Sequence, residues 1–233
     1  KSVYQVTTET TVNPESAVIS IALISEFPGS EIRYTLDGSN ITTTSEKYTD
    51  PIEITKTTTL KAQVFKEDRP AGALFEKKIT YHKAVGKPVT YLNKNHDSYQ
   101  GAKELGMVNV VRGSENFHDG QWQGWLGDDM ELVIDMESPT EMEQVTVGAL
   151  ENQGSGIYFP IQVEIFLSDD GKSYRSAGIV KREYTANNGS ELKDFIIGLG
   201  KQTARYIKVK ATNLGSPPSG GGSWMFIDEV VVE

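Results

Sequence analysis

The sequence predicts an all-β protein built as two consecutive β-sandwiches. Apolar and polar residues alternate with a period of two along most of the chain, and no long stretch follows the 3.6-residue period of an amphipathic helix. The apolar runs are short and are punctuated by turn chemistry such as Asp37-Gly38 and the SDDG segment at 168–171. At 233 residues the chain exceeds the usual single-domain size of ~100–150 residues, which leaves room for two cores.

The first part offers SAVISIALIS (16–25), EIRYTLDG (31–38), PIEI (51–54), TLKAQVFKE (59–67) and LFEKKITYH (74–82). In the second of these, Ile32, Tyr34 and Leu36 alternate with Arg33, Thr35 and Asp37 ahead of the Asp-Gly turn. Short strands at this spacing suit a small sandwich of immunoglobulin type. Around AVGKPVTY (84–91) the Thr-rich composition gives way to Gly, Asn and Trp, so the expected domains are 1–83 and 84–233. Strand candidates resume at 131–136, 143–150, 160–168, 192–199, 204–212 and 224–232, separated by long loops at 93–129, 151–159, 182–190 and 213–223. That pattern suits a jelly-roll sandwich with its function on the loops.

Charge narrows the partners. Against 32 Asp and Glu stand 23 Lys and Arg, a net of −9, with no basic block, which argues against nucleic acid and anionic membrane. No run approaches the ~18 apolar residues of a membrane span, so no membrane insertion is expected. The absence of cysteine excludes disulfides, thiol nucleophiles and Cys-ligated zinc. The chain opens KSVYQVTTET, without an initiator Met or signal peptide, and reads as a piece of a longer polypeptide.

The adjacent acids Asp228 and Glu229 resemble a two-carboxylate centre, which requires its carboxyls ~5–9.5 Å apart and facing one another. In a regular strand neighbours point to opposite faces, so the expectation is a non-catalytic pair with Asp228 an ordinary strand residue. His82, His96 and His118 show no metal-ligand spacing, and no nucleophile-elbow, phosphate-loop or zinc-protease motif occurs. Acidic loops suit calcium, which takes oxygen ligands in flexible geometry; the candidates are Asn109, Ser114, Asp119 and Glu229, with solvated loop acids as the alternative. Among the aromatics, Trp122 and Trp125 are expected in the core, whereas Trp224 follows the exposed-looking GSPPSGGGS run. Aromatic faces can stack on sugar rings while polar neighbours bond the hydroxyls, and Trp224, Tyr158 and Arg112 are the expected contact residues.

Residues 27–65, FPGSEIRYTLDGSNITTTSEKYTDPIEITKTTTLKAQVF, resemble the C-terminal sandwich domain of bacterial chitobiases and β-hexosaminidases through EIRYTLDGS, the Tyr48 to Pro51 step and TTTLKAQVF. Residues 85–233 resemble a coagulation-factor type C, or discoidin-like, domain, a group overlapping family 32 carbohydrate-binding modules. The resemblance rests on VRGSENFHDGQWQGWLGDDMELVIDM (111–136), YFPIQVEIFLSDDGKSY (158–174), ARYIKVKATN (204–213) and SWMFIDEVVV (223–232). The order of the two is similar to the tail of secreted family 20 glycoside hydrolases, which implies a parent β-N-acetylhexosaminidase.

In such relatives catalysis belongs to a separate (β/α)₈ barrel of ~250 residues, so the resemblance implies a non-catalytic accessory region at the cell surface, in the periplasm or secreted. The implied partners are a glycan or oligosaccharide and the parent's catalytic barrel, with a purely structural role against that barrel as the alternative. The resemblance also implies a structural calcium, with Glu229 on the last strand, Ser114 as the hydroxyl, and Asn109-Val110 where Asp-Gly is expected.

Overall fold

The computed structural model describes residues 4–27 and 29–233; Lys1, Ser2, Val3 and Pro28, the last within the FPGSEIRY stretch, lie outside them. The chain is all-β, built as two successive β-sandwiches, and divides into two compact units, Lys1–His82 and Lys83–Glu233. The described residues contain no α-helix, and therefore no helix long and apolar enough to cross a membrane.

The first unit has two antiparallel sheets. One runs in the order β1 (Val6–Asn13), β2 (Val18–Ser25), β5 (Ile52–Ile54); the other runs β4 (Glu46–Lys47), β3 (Glu31–Thr35), β6 (Thr58–Lys66), β7 (Arg69–Ile79). Alternate residues fill the core, Ile19, Ile21 and Leu23 from β2 and Leu60, Ala62 and Val64 from β6, and Phe65 beside Val64 is buried as well. Strand β1 was not expected from VTTETTVN, whose only buried side chain is Val6. Alternation also misplaces Arg33. It is buried together with Ile32, held by Glu31 at 2.5 Å and Asp68 at 3.0 Å with its guanidinium over the Phe65 ring. Leu36, expected inside, lies beyond the strand and is exposed.

The second unit uses β8 (Val89–Asn93), β9 (Gln123–Leu126), β10 (Met130–Asn152), β11 (Gln162–Ser168), β12 (Arg175–Lys181), β13 (Ser190–Thr212) and β14 (Trp224–Val232). The segments expected as separate strands at 131–136 and 143–150 are one strand, β10, and those at 192–199 and 204–212 are one strand, β13. Each serves both layers. Residues 130–135 of β10 pair with 206–211 of β13 and with β8, and β11 and β12 extend that layer. Residues 144–152 pair with 190–198 of β13 and with β14, and β9 closes that layer.

The bend lies at register shifts between Asp135 and Thr140 and between Met142 and Gln144. Glu137 has a left-handed φ of 66°, its N–H donates to Asp135, and Arg205 grips the same carboxylate through two bonds of 2.9 Å. Between the layers lie Leu132, Ile134, Val163, Ile165, Ile207 and Val209 against Val145, Val147, Phe195, Ile197, Met225 and Ile227. A Cβ on Gly178 of β12 would stand 2.6 Å from Ile197 of β13, so the two layers close to backbone distance there.

Candidate functional site

At one end of this sandwich a second apolar cluster, Trp122, Leu150, Ile157 and Phe226, is fully buried and carries a half-buried aromatic rim of Tyr99, Phe117 and Trp224. Trp224 opens β14, where its N–H donates to the Gly156 carbonyl and its carbonyl accepts from Tyr158 N–H, both at 2.8 Å. Its ring meets His96 and Tyr99 edge-on, each with centroids 5.1 Å apart, and rests on Phe226 at 5.7 Å. Tyr99 sits 4.5 Å from Phe226 and stacks toward His118 at 6.2 Å, while Phe117 touches His118 at 4.2 Å. His96 and His118 are exposed, so two imidazoles border the half-buried rings above a buried apolar base.

Local chemistry builds this rim. Asp119 accepts Ser114 N–H and Oγ–H at 2.6 and 2.7 Å and Gln121 N–H at 2.9 Å, winding residues 114–121 around one carboxylate and delivering Phe117 and His118. Gly124 of β9 is required because a Cβ there would lie 2.6 Å from the Phe226 ring and 3.0 Å from Tyr99. No sequence signal marks Tyr99 and Phe117, since each stands alone in a polar loop; of the two exposed histidines, His96 lies against Trp224 and His118 against Tyr99 and Phe117.

The structure brings Trp224 into the rim but not Tyr158. Tyr158 is buried, its hydroxyl 3.2 Å from Ser219 Oγ and its ring 6.2 Å from Tyr184, so it offers no open face for stacking. Trp122 and Trp125 are core residues whose indole N–H groups donate to the carbonyls of Ser114 and Asn93. Arg112 lines a cavity of about 240 Å³ with Trp122, Leu192, Lys193 and Asp194. Trp122 is common to that cavity and to the base of the rim.

The acid pair departs from the expected alternation. Val230 pairs with Val147 and Ile227 with Ala149, so Asp228 and Glu229 together oppose the single residue Gly148, a β-bulge. Both carboxylates consequently engage the same loop. Asp228 Oδ2 accepts from Arg112 Nε at 2.9 Å and from Gly113 N–H at 2.8 Å; Glu229 accepts Val110 N–H at 2.8 Å and Asn109 N–H at 3.3 Å. Both side chains are buried, so Asp228 is no ordinary strand residue and neither acid is open to a substrate.

Desolvation raises the Asp228 pKa against the opposing pull of Arg112, and raises Glu229 well above the usual carboxylate range against its amide donors. Burial works to lower the Arg112 pKa, but the Asp228 charge and the bonds to Asp194, at 2.5 Å, and Asp228 lift it above its ordinary value.

Asn109, Ser114 and Glu229 do not assemble a calcium shell. Calcium needs six to eight oxygens directed at one point. Here Glu229 faces backbone N–H donors, Asn109 Oδ1 accepts Val111 N–H at 2.8 Å, and Ser114 Oγ donates to Asp119. Among the described residues no group of three His, Cys, Asp or Glu could hold a metal ion.

Comparison with known proteins matches residues 6–76 to the family described as the chitobiase/β-hexosaminidase C-terminal domain. No curated protein sequence matches the chain. Among solved structures, the chain is similar to chitosan-binding module 1 of a chitosanase/glucanase from Paenibacillus sp. IK-5, at 18% identity over 65% of this chain and 98% of that one, with a TM-score of 0.42. The module CpGH89CBM32-4 of Clostridium perfringens, in complex with glcNAc-alpha-1,4-galactose, gives 16% identity over 65% and 93%, with a TM-score of 0.39. The C-terminal domain of a chitobiase from Bacteroides fragilis gives 18% identity over 63% and 93%, with a TM-score of 0.35.

Proposed function

We propose that the chain is a non-catalytic accessory region of a secreted glycoside hydrolase, whose second unit binds glycan at the aromatic rim and whose first unit serves as spacer or brace. The observation that carries this reading is the half-exposed ring group of Tyr99, Phe117 and Trp224, bordered by His96 and His118 and standing on a buried base. Such a surface covers the C–H face of a sugar while imidazole and loop amides bond its hydroxyls. The burial of Asp228 and Glu229 removes the most conspicuous acid pair from hydrolytic chemistry. The family match over residues 6–76 supports a β-N-acetylhexosaminidase parent and makes β-linked N-acetylglucosamine oligosaccharides the first ligands to test.

Titration of the intact chain with these oligosaccharides, followed by a wider glycan array, tests the proposal. Affinity in the high micromolar to millimolar range is expected, on the order of −4 to −6 kcal/mol. Trp224→Ala should weaken it roughly tenfold or more, with the melting transition retained as a control. A folded chain that binds no glycan, or a Trp224→Ala variant that binds as wild type, refutes the assignment.

A further inference from the structure

We infer that the loop of residues 109–113 is fastened by the Asp228 and Glu229 carboxylates themselves and takes no calcium. The loop is shaped to receive an anion. Val110, a β-branched residue with a left-handed φ of 62°, turns so that its N–H and that of Asn109 meet one carboxylate. Backbone amides gathered in this way form a cradle of partial positive charge, and the Arg112 guanidinium adds a full one nearby. A cation placed there would face N–H groups instead of oxygens.

The side-chain oxygens that these residues could offer a calcium are already committed: both Glu229 oxygens to those amides, Asn109 Oδ1 to Val111, and Ser114 Oγ to Asp119. The β-bulge opposite Gly148 makes the arrangement possible, since it lets consecutive acids reach the same loop, and Gly148 leaves room for them. A Cβ at 148 would collide with both Arg112 Nη2 and Asp228 Oδ1. The protein thus supplies as covalently attached carboxylates the fixing charge that an ion would otherwise bring, with the complementary polarity built into the loop.

Amide hydrogen exchange on the intact chain tests this independently of glycan binding. Asn109, Val110 and Gly113 should exchange equally slowly in millimolar calcium chloride and in EDTA. In EDTA, Glu229→Gln should accelerate Asn109 and Val110 roughly tenfold or more, because the amide side chain keeps only one acceptor oxygen. Slow exchange that requires calcium overturns the inference, and so does a Glu229→Gln chain with unchanged protection at these two amides. If that variant does not fold, the comparison of wild type in calcium and in EDTA decides the matter.

Discussion

Two loops flank β14, and they are secured by opposite chemistry. The 109–113 loop is held by two buried carboxylates and a guanidinium. The Gly-rich 213–223 loop is held mainly by a neutral side chain: Asn213 Nδ2 donates to the carbonyls of Trp125 and Ser223 at 3.3 and 3.2 Å, and Asn213 Oδ1 accepts from Gly215 N–H and from Ser223 Oγ, while the Asn213 backbone N–H donates to Asp129 Oδ1 at 2.9 Å. A buried charge is costly unless it is compensated, and Asp228 Oδ1 lacks a hydrogen-bond partner. A neutral amide in the same position meets all its needs locally. The charged fastening therefore depends on compensating charge and on pH, whereas the Asn213 side chain carries no ionising group. Only the ends of the Gly-rich loop need fixing, so its tip remains exposed beside Trp224.

The largest expected effect comes from crowding the charged fastening. Gly148→Ala should cost about 3 kcal/mol in urea unfolding, by forcing Arg112 away from Asp228; a loss below ~1 kcal/mol would mean that the bulge relaxes without harm to the ion pair.

The contrast itself is sharpened by titrating both fastenings. Asn213→Ala should lose about 2 kcal/mol, by the same amount at pH 5 and pH 8, since no ionising group is removed. For Glu229 the folded pKa lies above the unfolded one, so its contribution is most favourable below the unfolded value and is lost as pH rises through the folded value. The Asp228 charge works in the same direction and Arg112 opposes it, while Tyr91, raised to about 12, stays neutral throughout this range. The stability of wild type relative to Glu229→Gln should accordingly fall between pH 4.5 and pH 8, and a flat difference would break the comparison.

The smallest effect is a control far from both loops. In the SDDG turn, Asp170 accepts N–H groups from Ser173 and Lys172 and the Ser168 hydroxyl, which hold its pKa down to about 2. Its support is present above the unfolded value and fades as pH falls toward 2, and carboxyl NMR titration should show that midpoint.

Much of the fold was legible because alternation records burial directly, as in β2, β6 and β11. Where alternation failed, a specific contact had intervened. Arg33 is buried because Glu31, Asp68 and Phe65 converge on it, and β1 hid because its outward face is nearly all threonine and glutamate. The acid pair misled for a subtler reason: a bulge adds one residue to one strand and leaves no mark in the local pattern, so Asp228 and Glu229 read as a regular alternating step. The rim was only partly visible. Trp224 stood out beside its glycines, but Tyr99, Phe117 and His118 join it through long-range packing that no spacing rule encodes.

The two strands shared between layers also govern how the second unit comes apart. Because β10 and β13 each run unbroken through both sheets, neither sheet can peel away without tearing hydrogen bonds from strands that the other still holds. Opening should propagate from one layer to the other, making the sandwich a single cooperative block rather than two leaves with separate stabilities. The rim and both fastened loops then stand on a support that stays whole until it fails as a whole.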